Sequence, residues 1–481
     1  MKKFVLLAFL IAMVLISCSD NSGNTGNADV QTTTTSVEDT PETTAETVNL
    51  PDMNFDGREF TFILRVTPDD WTADDVVAAE QNGAPINDAV YTRNVYIEEK
   101  YNLKISGLEA PINHSIYNPV KNSILAADNS FDVIAAYGHD SARFAQDGFI
   151  HDLTTIQYLD LTKPWWNPTL SETLTINNRQ FYATGDISYV DNFGVRCFFF
   201  NKDIVNDLNL ENPYELVNEN KWVMSKLFEM AVIGTQDLNG DGVMNTEDRY
   251  GIQAQSSLGA ILTFASGVSI TKKDSTDTPY VAVDQPEQLG ILDSLKTYMG
   301  GNPNIHYSDD WLNTQTRFAE NKVLFQAEVL LMIQSMRGAE VNIGIIPSPK
   351  YDESQENYIH YLDGWCENMY SIPVTAVDID EIGFLLEAMA AKSVDTLTPA
   401  FYDVCLNGKY VRDEESSAML DIIFGSYIME NAESYGWGSL FNTIQDALKT
   451  GKDVTSLIEA NKAATQAAIE KTVATLNEQY Q

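Results

Sequence analysis

Apolar positions change rhythm repeatedly between Asp56 and Ala136. Phe60, Phe62, Ile63 and Leu64 follow an Asp56-Gly57 turn signal and read as a strand. Ile86, Val90, Ile97 and Tyr101 fall near helical spacing, and Leu103 and Ile105 alternate again. Val120, Ile124 and Ala127 return to a helical stripe. Phe131-Asp132-Val133-Ile134-Ala135-Ala136 is a short apolar run of the kind a buried parallel strand shows. Strand, helix, strand, helix, strand predicts an α/β domain. A second α/β region opens near Cys197-Phe198-Phe199-Phe200, and Ile343 to Ile346 reads as a strand stopped by Pro347. Ile382, Leu385, Leu386 and Met389 mark one face of a helix capped by Asp378 or Asp380. Ile458, Thr465, Ile469, Val473 and Leu476 mark another near the end. No fixed-period repeat is visible.

The start of the chain follows a different logic. Lys2 and Lys3 precede an apolar stretch, Phe4 to Ile16, and small residues follow, as in a secretory signal. Those 13 residues fall short of the ~20 that span a bilayer, and no later segment offers 18 consecutive apolar residues. Leu15-Ile16-Ser17-Cys18 resembles the bacterial lipobox. That resemblance implies a signal peptide at 1–17, lipidation of Cys18, and a body on the extracellular face of the membrane. Residues 18–50, rich in Thr and Ser, read as a flexible tether.

Composition narrows the function. The 481 residues suggest two to four domains, and 44% hydrophobic residues supply a core. With 69 acidic residues against 30 basic ones the formal charge is -39, which disfavours nucleic acid as a partner. Beyond Cys18 only Cys197, Cys366 and Cys405 remain, with no paired metal-type spacing and material for one disulfide at most. There is no Gly-x-Ser-x-Gly elbow, no His-Glu-x-x-His and no Walker-type loop. A glycoside hydrolase would need only two carboxylates, so it stays open as an alternative.

The sharpest local motif is Asp237 to Asp248. Asp237, Asn239 and Asp241 stand at positions 1, 3 and 5 of a calcium-loop pattern, with Gly242 for the turn, the Val243 carbonyl at 7 and Asp248 at 12. Hard oxygen ligands at alternate positions converge only if the chain turns sharply between them. The stretch resembles a dockerin calcium loop, and a structural calcium clip is the expectation.

Further stretches carry a wider resemblance. They include Ile86 to Asn94, Phe131 to Ile134, Gly148 to Leu153, Pro164-Trp165-Trp166-Asn167, Phe200-Asn201-Lys202-Asp203 and Leu210 to Tyr214. Asp237 to Gly251, Phe318 to Phe325, Ile343 to Lys350 and Tyr410 to Asp413 extend it over roughly 55–480. In this order the chain resembles an extracellular solute-binding lipoprotein of the maltose-binding-protein-like class. The resemblance implies a type II periplasmic-binding-protein fold of two α/β lobes, with carbohydrate held between them and delivered to the permease of an ABC importer. Lobe 1 would take 55–185 and 335–405, and lobe 2 would take 195–330 and 408–480. Crossings near Ser188–Gly194 and Arg337–Glu340 would supply the hinge. A monomer that catalyses nothing is expected, with no organic cofactor. Ligand-binding candidates are Trp71, His139, Asp140, Asp186, Trp365, Glu367, Arg412 and Trp437. Aromatic rings suit the apolar face of a sugar, and carboxylates and arginine suit its hydroxyls. Trp165, Trp166 and Trp222 read as packing residues. A peptide or other small-solute carrier and a sugar sensor of the same fold are the alternatives.

Overall fold

A computed structural model of the chain describes residues 50–66, 75–113, 115–406 and 413–480, with backbone alone at 111–113 and 404–406. The segment read as a signal, the expected lipidation site Cys18, Trp71 and Arg412 lie outside the described residues. In chain order the strands are β1 Arg58–Val66, β2 Leu103–Asn113, β3 Val133–Ala136, β4 Arg196–Asn201 and β5 Tyr250–Ala254. Next come β6 Thr271–Lys273, β7 Pro279–Val281, β8 Ile305–Tyr307, β9 Val323–Val329 and β10 Ile343–Ile346. Then follow β11 His360–Tyr361, β12 Met369–Ser371 and β13 Tyr427–Ile428.

Two sheets organise the body. The first runs β12-β3-β1-β2, with β1 parallel to both β2 and β3 and β12 antiparallel at one edge. The second runs β10-β4-β9-β5-β8; β5 is parallel to β8 and β9, whereas β4 is antiparallel to β9 and β10. Successive side chains of a strand point to opposite faces, and β1 shows the result. Phe60, Phe62 and Leu64 pack with Ile97, Tyr101, Phe384 and Leu385 in a core private to this lobe, under the helices Pro85–Tyr101 and Ile379–Ser393. Ile63, on the other face, belongs to a larger core that continues through Phe193 and Cys197 into the second lobe.

The two-lobe α/β architecture matches the sequence expectation, but one boundary moves. Ile343–Ile346 pairs with β4, Ile345 opposite Phe199, and so belongs to the second sheet. Residues 335–362 therefore stay with lobe 2, and the hinge expected at Arg337–Glu340 is replaced by a crossing at 362–369. A short apolar run announces a strand without saying which sheet it joins. The first crossing is the short helix Val190–Gly194, as expected. The helix Leu397–Leu406 packs against the helix Pro85–Tyr101 of lobe 1, and the helix Glu414–Phe424 against β10 of lobe 2. Asp378 holds the cap position of the helix after β12, but its side chain makes no capping bond and pairs with Arg58 at 3.5 Å instead.

The helix Val454–Gln479 spans both lobes. Asp453 caps its start by accepting the Ser456 N–H at 3.3 Å. Its far end meets lobe 1, where Gln146 donates to Thr472 Oγ1 at 3.1 Å and Arg179 to the Leu476 carbonyl at 3.3 Å. The Tyr480 hydroxyl donates to the Ile150 carbonyl at 2.5 Å, and its ring packs on Phe181 at 4.6 Å. Among the described residues no helix is long and apolar enough to cross a membrane.

Candidate functional site

In open α/β sheets ligands collect beyond the carboxyl ends of parallel strands. Here those ends are Arg65 of β1 and Tyr137 after β3 in lobe 1, and Gln255 after β5 and Glu328 of β9 in lobe 2. Arg196 joins them because β4 runs antiparallel to β9, which places it opposite Val329. The crossing 363–368 threads between the two groups.

Trp365 dominates the surface of this region. It is 51% exposed, its ring lying 4.4 Å from that of His139 and 5.5 Å from that of Tyr137. The Arg65 guanidinium packs over the Tyr137 ring at 3.7 Å and donates to Asn368 Oδ1 at 2.8 Å and the Glu367 carbonyl at 2.6 Å. An aromatic shelf with a cation behind it is thus held by three segments distant in sequence.

Beside the shelf lies a buried charge network. Arg196 donates through Nε to Asp363 at 3.1 Å, through Nη1 to Glu328 at 2.5 Å, and to Gln255 Oε1 at 3.2 Å. Burial raises the pKa of Glu328, and Arg196 works against that rise. His139 Nε2 stands 3.7 Å from Glu433 Oε1. Burial disfavours the imidazolium, yet the Glu433 carboxylate outweighs this and holds the His139 pKa above its ordinary value. Glu433 itself is raised by burial.

Glu367 supports the shelf from beneath. Its carboxylate accepts the Gly138 N–H at 2.5 Å and the Cys366 N–H at 3.0 Å. Burial pushes its pKa up to about 8, against the pull of Arg65 and of the Gly138 N–H. Any side chain at 138 would bring a Cβ within 2.6 Å of Glu367 Oε1, so this approach requires glycine.

The predicted residues therefore part company. His139 and Trp365 meet on the shelf, and Glu367 lies under it. Asp140 is buried and accepts from Ser115 Oγ at 2.8 Å and the Ile116 N–H at 2.7 Å, which anchors its helix. Asp186 accepts from Thr398 Oγ1 at 2.7 Å, and burial raises it to about 6. Trp437 is a core residue: it stacks on Tyr435 at 5.0 Å and donates to Thr472 Oγ1 at 3.0 Å. Sequence reasoning missed Tyr137, Arg196, Glu328, Asp363 and Glu433. Arg196 and Glu328 carried a signal, each being a charge inside an apolar strand. Trp165 and Trp166 do pack, both donating to the Glu387 carboxylate, and Trp222 donates to the Pro347 carbonyl.

The loop 237–248 has its sharp turn, with φ of +75° at Gly240 and +80° at Gly242. Its acidic groups serve its own backbone. Asp237 accepts from the Gly240 and Gly242 N–H groups at 2.6 and 2.8 Å, and Asp248 from those of Leu238 and Asn245, both at 2.9 Å. Among the described residues no three His, Cys, Asp or Glu side chains are grouped to hold a metal ion. Asp248 is thus oriented by two amides of the loop itself. Cys197 and Cys366 are free thiols. A separate cavity of about 770 Å³, lined in part by Ser269, Tyr358, Asp421 and Tyr427, includes none of the shelf groups.

No family model matches the sequence, and no curated protein matches it. Solved structures do. The cyclic alpha-maltosyl-1,6-maltose binding protein of Arthrobacter globiformis aligns at TM-score 0.57 and 13% identity over 86% of this chain and 99% of its own. A cyclo/maltodextrin-binding protein complexed with maltotetraose gives 0.54 and 12% over 88% and 98%. An ABC substrate-binding protein of Listeria monocytogenes in complex with cycloalternan gives 0.51 and 12% over 88% and 99%. The chain has the fold these binding proteins share, the type II periplasmic-binding-protein fold.

Proposed function

We propose that the protein captures a carbohydrate, an oligosaccharide by preference, in the crevice between its lobes and hands it to an ABC importer. The half-exposed Trp365, braced by His139 and Tyr137 beside the Arg196–Asp363–Glu328 network, is the observation that carries this reading. A sugar ring would lay its apolar face on the indole and offer hydroxyls to carboxylates already oriented by arginine. A ligand that touches both lobes favours the arrangement in which both contacts are made, so binding biases motion about Val190–Gly194 and the crossing at 362–369. Nothing in this scheme requires bond cleavage. Export, lipidation of Cys18, an extracellular position and a monomeric body belong to the same proposal and rest on the sequence of the first eighteen residues and on the fold.

The test is calorimetry of the body, residues 50–481, against maltose, maltotetraose, cyclodextrin and cello-oligosaccharides, with the sugar analysed afterwards. Saturable binding with intact sugar is expected. Absence of binding across the panel overturns the reading, and recovery of shortened sugar overturns the non-catalytic part of it. Metabolic labelling with a radiolabelled fatty acid, lost in Cys18→Ser, tests the anchor.

A further inference from the structure

Away from the shelf, the lobes meet again at the hairpin β6–β7. The hairpin belongs to lobe 2: Glu430 accepts the Ile270 N–H at 3.0 Å and the Thr271 hydroxyl, and the Val281 N–H donates to Gln466 Oε1 at 3.0 Å. It faces the helix Pro168–Leu174 and the turn that follows it. That turn is anchored in lobe 1, where the Gln180 carbonyl accepts the Leu153 N–H at 2.7 Å and Ala183 pairs with Tyr370 of β12.

One hairpin residue makes most of the connection. The Asp277 carbonyl accepts the Asn177 N–H at 2.9 Å, and its carboxylate accepts the Asn178 N–H at 2.8 Å and the Thr175 hydroxyl at 3.1 Å. Thr278 Oγ1 donates to Asn177 Oδ1 at 2.7 Å. Lys273 pairs with Asp277 at 2.9 Å, and its ammonium donates to Thr175 Oγ1 at 2.7 Å and to the Glu172 carbonyl. Both sides of the contact are shaped locally. Asp274 ties the hairpin tip by accepting the Thr276 and Thr278 N–H groups at 2.8 and 3.0 Å. Opposite, Ile176 pairs with Arg179 across Asn177 and Asn178, whose φ values of +53° and +60° make a tight turn with its two central amides turned to Asp277. Asp277 is left-handed too, at +59°. Non-glycine residues in this region are uncommon, and where three gather the surrounding contacts must hold them.

The contact is also made to part. It is polar, so its hydrogen bonds can be exchanged for bonds to water at a small net loss each. Beside it lies the cavity of about 770 Å³, lined by Thr169 of the helix and by Gly267, Val268 and Ser269 at the base of the hairpin, so little packed apolar surface is lost on separation. At the crossing Val190–Gly194, by contrast, Phe193 and Val195 sit in the core shared by both lobes.

We propose that the hairpin Thr271–Val281 is a releasable clasp, with Asp277 as its catch, that fastens lobe 2 to the turn 175–178 in the arrangement that brings His139 and Glu433 together. While it holds, both halves of the crevice stay assembled without a ligand; when it parts, the lobes swing about the crossings. The clasp is a property of the ligand-free protein and stands or falls apart from whatever the crevice captures.

The experiment is pulsed dipolar spectroscopy on the ligand-free protein, with spin labels on ketone-bearing unnatural residues at Leu125 of lobe 1 and Leu312 of lobe 2, both exposed. The otherwise unmutated protein should give one narrow distance distribution. Asp277→Ala should raise the population outside it about tenfold or more, as the loss of bonds to a charged acceptor requires. Thr278→Val, which removes one neutral bond, should give a smaller rise in the same direction. Melting temperatures verify folding, and Thr278→Val decides alone should Asp277→Ala unfold. An unchanged distribution in both variants overturns the clasp, as does a broad one before any substitution. A shift in Arg179→Met, which frees the tip of the helix Val454–Gln479, without one in Asp277→Ala would make the helix the fastener and overturn it as well.

Discussion

The loop 237–248 and the inter-lobe crevice hold the same chemical group in opposite conditions. In the loop Asp237 and Asp248 are satisfied by five-residue and ten-residue reaches of their own backbone. In the crevice Glu328, Glu433 and Glu367 are buried, tied to partners far away in sequence, and two of them keep an oxygen unmatched. Carboxylate density along a sequence therefore marks turns as readily as sites. Burial without full satisfaction is what marks a site here, because only there does an arriving donor change the energy much.

The sharpest way to break this contrast is to strip the crevice of its arginine. Arg196→Met strands Glu328 and Asp363 in a buried position and should cost about 3–5 kcal/mol in urea unfolding, whereas a triple variant that also carries Glu328→Gln and Asp363→Asn should recover most of it. A cost under about 1 kcal/mol for the single change would mean that the network is hydrated. Next in size, Trp365→Ala should weaken saccharide binding by about 2 kcal/mol, roughly thirtyfold, and leave the melting temperature nearly unmoved, since the ring is half exposed. Calorimetry and melting on one sample separate the two.

A third prediction concerns pH. Glu367 has a folded pKa of about 8 against an ordinary 4.5, so the native state holds a proton that the unfolded state has released. Its contribution is complete below about pH 4.5 and is lost as pH rises toward 8. Asp75, raised to about 6, acts in the same sense over a narrower range. His360, lowered to about 3 by burial, acts oppositely and removes stability as pH falls below 6.5. Glu367→Gln should flatten the decline between pH 5 and 8 relative to the unmutated protein; an unchanged slope would show that Glu367 is ionised throughout. The smallest effect belongs to the loop. Asp241→Asn should move the melting temperature by only about 1 °C, and millimolar calcium should move it no further. A calcium-dependent rise of several degrees that Asp241→Asn abolishes would show the loop rearranging around the ion.

Much of the fold was legible because periodicity reports elements directly. The alternation of Phe60, Phe62 and Leu64, and the helical spacing from Ile86 to Tyr101, both fold as read. Sheet membership was not legible for Ile343–Ile346, since pairing is decided by partners more than a hundred residues away. The site was half legible. Trp365 and His139 stood out as rare residue types at suggestive places, whereas Glu433 sits in an ordinary polar stretch and gains its meaning only from His139, nearly three hundred residues away. Trp437 misled for the converse reason: Thr472, on a distant helix, meets its N–H and turns it into core.

The helix Val454–Gln479, fastened to one lobe along its length and to the other at its tip, is in effect a mechanical gauge. At 1.5 Å per residue its 26 residues make an arm of about 39 Å, so a relative rotation of only 5° displaces the tip by roughly 3 Å. That exceeds what the contact from Tyr480 to the Ile150 carbonyl tolerates. Any swing of the lobes is thereby translated into release or reseating of one terminal turn, on the outer surface, where a fluorophore pair at Tyr480 and His151 would read the state of the crevice without touching it.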